Sequence, residues 1–138
     1  MTQEQKDLLL KDLCARLPYR VKFKFKYSEL SSEIMRAIYL ENYVIISSKD
    51  NSCEINDIKP YLFPLSSMTE EQEKELKKVY SDEADLIAEH LKSDISGNIH
   101  THRFNHQLSL NWYLKNHFDI NGLIPMGLAI DATNLNIY

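Results

Sequence analysis

The sequence predicts one α+β domain over residues 1–138, and three observations carry that prediction. YRVKFKFKY alternates apolar and basic residues, two other stretches show helical apolar spacing behind capping residues, and glycine and proline are scarce. Three glycines and four prolines leave too few turn residues for a many-turned β-sandwich. With 43% apolar and 26% charged residues, the chain lies outside the composition of disorder. A domain of this length buries roughly two-thirds of the surface its unfolded chain exposes.

Thr2 followed by Gln5 is a capping box, and Leu9, Leu10, Leu13 and Leu17 then recur at helical spacing until Pro18. This predicts an N-terminal helix. In the alternating segment Val21, Phe23, Phe25 and Tyr27 fall on one side, and Arg20, Lys22, Lys24 and Lys26 on the other. A period of two predicts a half-buried strand of an antiparallel sheet, with the aromatic rings in the core and the cations in water. IMRAIYL (34–40) and YVIISS (43–48) read as two further strands joined at Glu41 and Asn42 as a hairpin. CEINDIKPYLFPL resumes the apolar pattern, but Pro60 and Pro64 should restrict any strand there to an edge or a short piece. The first half thus predicts a small antiparallel sheet of three to five strands, curled towards a half-barrel.

Ser67 with Glu70, and Thr69 with Gln72, are overlapping capping boxes, and Glu70, Glu71 and Glu73 suit the positive end of a helix dipole. They predict a long capped helix with an apolar stripe of Leu76, Val79, Tyr80, Ile87 and Leu91, Leu86 beside it, and a break near Ser81 and Asp82. Its interspersed Lys74, Lys77, Lys78 and Lys92 pair with the acids on a solvated face that can also present negative charge to a partner. Residues 93–106 read as a polar loop. A shorter C-terminal helix follows, capped by Ser109 and carrying Leu110, Tyr113, Leu114, His117 and Phe118, until Asn121 and Gly122 stop it. LIPMGLAID is then an apolar tail, buried or a strand.

The candidate chemistry is sparse. His100, His102 and His106 lie close together, and zinc takes three or four such ligands, with Asp94 or water completing a tetrahedron. Without HExxH or a cysteine partner the spacing is permissive rather than diagnostic, so a metal-dependent enzyme is one alternative reading and a polar loop the preferred one. His117 and Asp119 sit beside Trp112, Tyr113 and Phe118, which makes Trp112, His117 and Asp119 a candidate functional surface. His117 has the ordinary pKa of a general acid or base; the plainer reading is a helix C-terminal histidine stabilised by the dipole. For Asp119 the plainer reading is a turn-former.

Arg20, Lys22, Lys24 and Lys26, with Arg16 nearby, form the basic cluster and give a second alternative, nucleic-acid binding. The alternation opposes it, because rings pointing into a core cannot stack bases beside the lysines. Cys14 and Cys53 lack metal or redox spacing and read as reduced, packed thiols. No phosphate-binding glycine loop, nucleophile elbow or cofactor fingerprint is present. The N-terminal residues do not form a secretory signal, and no apolar run is long enough to span a membrane, so a cytoplasmic location is expected. The formal net charge of −4 does not itself specify a partner.

Two stretches carry a family resemblance: YLFPLSSMTEEQ (61–72) and WYLKNHFDINGLIPMGLAIDA (112–132). The matching positions include Pro64, Ser66, Ser67, Met68, Thr69, Glu70 and Glu71, then Trp112, His117, Phe118, Asp119, Gly122 and Gly127. Together they resemble a family of small uncharacterised proteins encoded by gut bacteria, their phages and mobile elements; Tyr113 departs from the leucine of that pattern. The resemblance brings no catalytic residues or cofactor. With no convergent catalytic set in the sequence, and consistent with what the resemblance implies, the expectation is a non-enzymatic accessory or protein-interaction protein with an unidentified protein partner.

Overall fold

The protein is an α+β chain, and its computed structural model describes residues 1–27, 31–33, 36–40, 43–47, 52–93 and 107–138. Contacts group these into two compact units: Met1–Ser67 with His117–Tyr138, and Met68–Asn116.

The first unit begins with α1 (Gln3–Arg16), whose capping box is formed as expected: Gln5 N–H donates to Thr2 Oγ1 at 3.2 Å and Thr2 N–H to Gln5 Oε1 at 2.9 Å. Pro18 ends the α-helix in a 3₁₀ turn over Leu17–Tyr19, and Arg20 takes a left-handed φ of 55°. β1 (Lys22–Phe25) follows, with Val21 and Phe23 fully buried and Lys22 and Lys24 half-buried. The alternation stops at Phe25. Lys26 N–H donates to the Asp57 carbonyl at 2.7 Å, the chain turns, and Tyr27 is left 81% exposed. Tyr27 was expected in the core; once the backbone leaves the ladder, the pleat no longer dictates which side a residue takes.

Four strands then follow: β2 (Ser31–Glu33), β3 (Arg36–Leu40), β4 (Tyr43–Ser47) and β5 (Ser52–Glu54). β3 and β4 pair antiparallel with Leu40 opposite Tyr43, as a two-residue hairpin requires; Glu41 and Asn42 lie outside the described residues. β2, read from SSE, has no apolar alternation and was not anticipated. After a 3₁₀ turn at Ile55–Asp57 comes β6 (Ile58–Leu62).

The strands form two sheets instead of the single curled one expected. One has the order β3-β4-β5, the other β2-β1-β6-β7, with β7 at Ile130–Asp131. β7 runs parallel to β6, pairing Tyr61 with Ile130 and Leu62 with Asp131, so the second sheet is mixed. A parallel pair needs a long connection, and everything from residue 63 to 129 lies between these strands. β6 is thereby an interior strand despite Pro60. Its ladder with β7 starts at Tyr61, one residue beyond the proline, so that ladder never calls on the missing N–H. The core under the sheet is built from Leu9, Leu13, Val21, Phe23, Ile58, Leu62, Leu123 and Leu128.

The tail enters this unit through a tight turn. Asp119, 7% exposed, accepts Leu123 N–H on Oδ1 and Ile124 N–H on Oδ2, both at 2.8 Å. Gly127 and Leu128 N–H then return to the Ile124 and Leu123 carbonyls at 2.9 Å. Gly122 and Gly127 sit at φ of 70° and 72°, a backbone that side chains rarely adopt. Asp119 is thus the turn-former that its position suggested. Replacing it with alanine strips one buried and one part-buried N–H group of their acceptor, and should cost about 1–3 kcal/mol in a urea unfolding experiment, with Asp119→Asn losing less.

The second unit holds α2 (Glu70–Ser93) and α3 (Gln107–Lys115). Of the two overlapping boxes Thr69–Gln72 is used, with Gln72 N–H on Thr69 Oγ1 at 3.2 Å and Thr69 N–H on Gln72 Oε1 at 2.9 Å. Ser67 Oγ instead donates to the Pro64 carbonyl at 2.7 Å. α2 runs unbroken through Ser81 and Asp82, contrary to the expected break, for about 36 Å. Serine and aspartate are weak helix formers, but two such residues do not outweigh the good formers around them. α3 starts two residues before Ser109, so Ser109 is not its cap. It lies buried in the first turn, and its N–H donates to Glu83 Oε1 at 2.5 Å.

Candidate functional site

Within Met68–Asn116, α2 and α3 enclose a groove of about 360 Å³ lined by Glu75, Lys78, Val79 and Asp82 of α2 and Trp112 and Lys115 of α3. Helical spacing makes this row: positions 75, 78, 79 and 82 share one face of α2, and 112 and 115 one face of α3. Trp112 is 8% exposed, and its indole N–H donates to Glu75 Oε2 at 3.0 Å. Asn116 Nδ2 donates to the Trp112 carbonyl at 2.9 Å, satisfying an end-of-helix acceptor. The hydroxyls of Tyr80 and Tyr113 are 3.2 Å apart. Burial and then that hydrogen bond push the Tyr113 phenol up to about 12, so the Tyr113 hydroxyl stays neutral.

The rows continue past the groove as apolar residues. Val79 and Asp82 lead at helical spacing to Leu86, and Lys115 and Trp112 lead back to Leu108. Leu86 is 48% and Leu108 38% exposed. Leu86 was expected beside a buried stripe, and Tyr80, 44% exposed, within it. The position that is buried is Glu83, 4% exposed, seven residues after Leu76. Its place on the stripe was visible in the sequence; its partner, a backbone N–H 26 residues away, was not.

The three residues of the expected functional surface divide between the units: Trp112 belongs to the helix pair, His117 and Asp119 to the sheet-bearing unit. α3 ends at Lys115, and His117 takes a left-handed φ of 61°. Its carbonyl accepts Phe63 N–H at 2.9 Å, and Phe63 in turn accepts Asp119 N–H at 2.8 Å, which bridges Phe63 and Phe118 as a short parallel extension of the sheet. The imidazole stacks on Tyr138, ring centroids 3.7 Å apart and 12° from parallel, with Nδ1 buried and unpartnered among the described residues. Burial, then the charges of Arg16 and Lys22, lower its pKa to about 4. The dipole-stabilised cation expected here is therefore replaced by a neutral, packed ring.

Two cations of the expected basic cluster are engaged internally. Arg16 is fully buried and clamps Asp12, Nε to Oδ2 at 2.6 Å and Nη2 to Oδ1 at 3.0 Å; Nη2 also donates to the Phe118 carbonyl at 2.7 Å. Asn121 Nδ2 adds a bond to Asp12 Oδ1 at 2.8 Å. Lys22 Nζ donates to the Ile137 carbonyl at 2.6 Å, and its backbone N–H to Tyr138 Oη at 2.9 Å. Arg20 and Lys26 lie on the surface and Lys24 is half-buried.

His100, His102 and His106 lie outside the described residues, and among those described no group of three or more histidine, cysteine or acidic side chains is placed to hold a metal. Cys14 is exposed and Cys53 half-buried, so only Cys53 fits the packed reading. Burial and the nearby Asp57 charge raise Cys53 to about 11, which suppresses the nucleophilic thiolate. No helix among the described residues is long and apolar enough to cross a membrane. Comparison with protein-family models, curated proteins and solved structures finds no match.

Proposed function

We propose that this is a cytoplasmic, non-enzymatic accessory protein of a phage or mobile element, and that it works by binding another protein through the groove side of its helix pair. The observation that carries this reading is the alignment of exposed Leu86 and Leu108 with the two rows lining the groove. Singly scattered surface leucines need no explanation, but apolar residues in register with a charged, tryptophan-floored groove have the make-up of a recognition surface, with an apolar centre and a polar rim. The mixed signs of Glu75, Lys78, Asp82 and Lys115 suit a partner presenting both charges. The resemblance of residues 61–72 and 112–132 to proteins of phages and mobile elements supports the biological setting.

The test is affinity purification of the tagged protein from its native host, beside Leu86→Glu/Leu108→Glu. A protein recovered stoichiometrically with wild type and lost at least tenfold with the variant, while circular dichroism and melting are unchanged, is the expected result. Retention by the variant, or no protein with wild type, overturns the reading, as does turnover in a broad hydrolase screen.

A further inference from the structure

We propose that the open end of the β1/β6 ladder is a tyrosine-recognition site, closed in this structure by Tyr138 and opened by a partner peptide segment that presents a tyrosine of its own. This goes beyond the protein-binding reading of the helix pair and rests on other residues, all in the sheet-bearing unit.

The ladder between β1 and β6 ends at Phe23 and Pro60. Alternate pairs of an antiparallel ladder exchange hydrogen bonds and proline has no N–H to exchange, so the next pair in register, Lys22 with Tyr61, is one that would. The Tyr138 phenol stands between them instead. Its oxygen accepts Lys22 N–H at 2.9 Å and donates to the Tyr61 carbonyl at 2.8 Å. The ring is held as well: it stacks on His117 with centroids 3.7 Å apart, lies 5.8 Å from the Phe63 ring, and has Lys22 Nζ 5.7 Å from its centroid. The same ammonium donates to the carbonyl of the preceding residue, Ile137, at 2.6 Å. Hydroxyl, ring and preceding carbonyl are thus each matched, and among natural side chains tyrosine alone joins a ring to a hydroxyl that both accepts and donates.

The hold on Tyr138 is local. Thr133, Asn134, Leu135 and Asn136 are exposed, and Thr133 and Leu135 bond back to Asp131 and Ala132. Ile137 and Tyr138 carry the attachment to the ladder, and Tyr138 is itself 42% exposed. Opening of so few contacts belongs to the low end of a protein's local stabilities. A segment with the same hydroxyl, ring and carbonyl competes for the site, and its apparent affinity is reduced by the fraction of the protein that is closed.

The experiment titrates the full chain with acetyl-isoleucyl-tyrosine amide to about 10 mM, following the Lys22 amide by NMR. Tyr138→Ala is expected to bind saturably, and wild type at least about tenfold more weakly. Tyr138→Phe, which keeps the ring without the hydroxyl, should fall between them. With the alanine variant, acetyl-isoleucyl-phenylalanine amide should bind about tenfold more weakly than the tyrosine peptide, because it leaves Lys22 N–H and the Tyr61 carbonyl unpaired. Circular dichroism and melting establish that each variant is folded; should alanine unfold the chain, the phenylalanine variant carries the comparison. No shift of the Lys22 amide in a folded variant overturns the proposal. So does equal binding of the two peptides, which would mark a generic aromatic contact, or binding by wild type as tight as by the variants.

Discussion

Asp12→Ala is expected to lower the unfolding free energy by about 3–5 kcal/mol. Asp12 is 1% and Arg16 0% exposed, and the carboxylate takes two of the three hydrogen bonds that the guanidinium makes. Removing it leaves a full positive charge in the core with, among the described residues, the Phe118 carbonyl as its remaining hydrogen-bond partner, and Asn121 loses its bond to Asp12 as well. The cost is that of an unpaired buried charge, not of the bond alone. A second variant separates the two ideas: Asp12→Leu/Arg16→Met removes both charges at similar volume and should regain most of the loss. Urea unfolding of both proteins checks this, and a loss below about 1 kcal/mol for Asp12→Ala would mean that water reaches the pair.

Acidification should destabilise the protein through His117, and His117→Asn should remove that component. With a folded pKa of about 4 against about 6.5 for an unfolded histidine, the unfolded chain takes up the proton first as pH falls. The stability due to this ring is therefore complete above about pH 6.5, declines between about 6.5 and 4, and levels off below. The slope is at most about 1.4 kcal/mol per pH unit, reduced by the solvent that still reaches the ring. The groups facing it explain the sign: burial disfavours the charged ring, and Arg16 from α1 and Lys22 from β1 repel an imidazolium, while the Tyr138 ring stacks on it. Asparagine is chosen because it tolerates the left-handed φ of 61° that alanine would strain. Unfolding free energies of wild type and variant measured across that range should diverge in slope; parallel profiles would show that the ring titrates normally.

Both features were invisible to pattern reading for the same reason. Asp12 and Arg16, four apart on α1, look like a surface pair, since i, i+4 charges usually are. Their burial depends on Phe118 and Asn121, more than a hundred residues away. Lys24 and Lys59 could be paired only by the register between β1 and β6. Nothing local foretold that Tyr27 would leave the ladder or that Glu75 would hold the Trp112 indole.

What the sequence determined by itself is whatever neighbours within a few residues decide. Thr2 with Gln5 and Thr69 with Gln72 start their helices, the period of two puts Val21 and Phe23 in the core, and Asp119 closes its turn on the next few amides, because each bond spans at most one turn of chain. The tertiary structure decided which strands meet and which charges are enclosed. β7 came to β6 across 67 intervening residues, Pro60 ended inside a sheet, and Arg16 was drawn into the core. Those outcomes depend on burial summed over distant segments, and burial is a property of the packed whole that no short window contains.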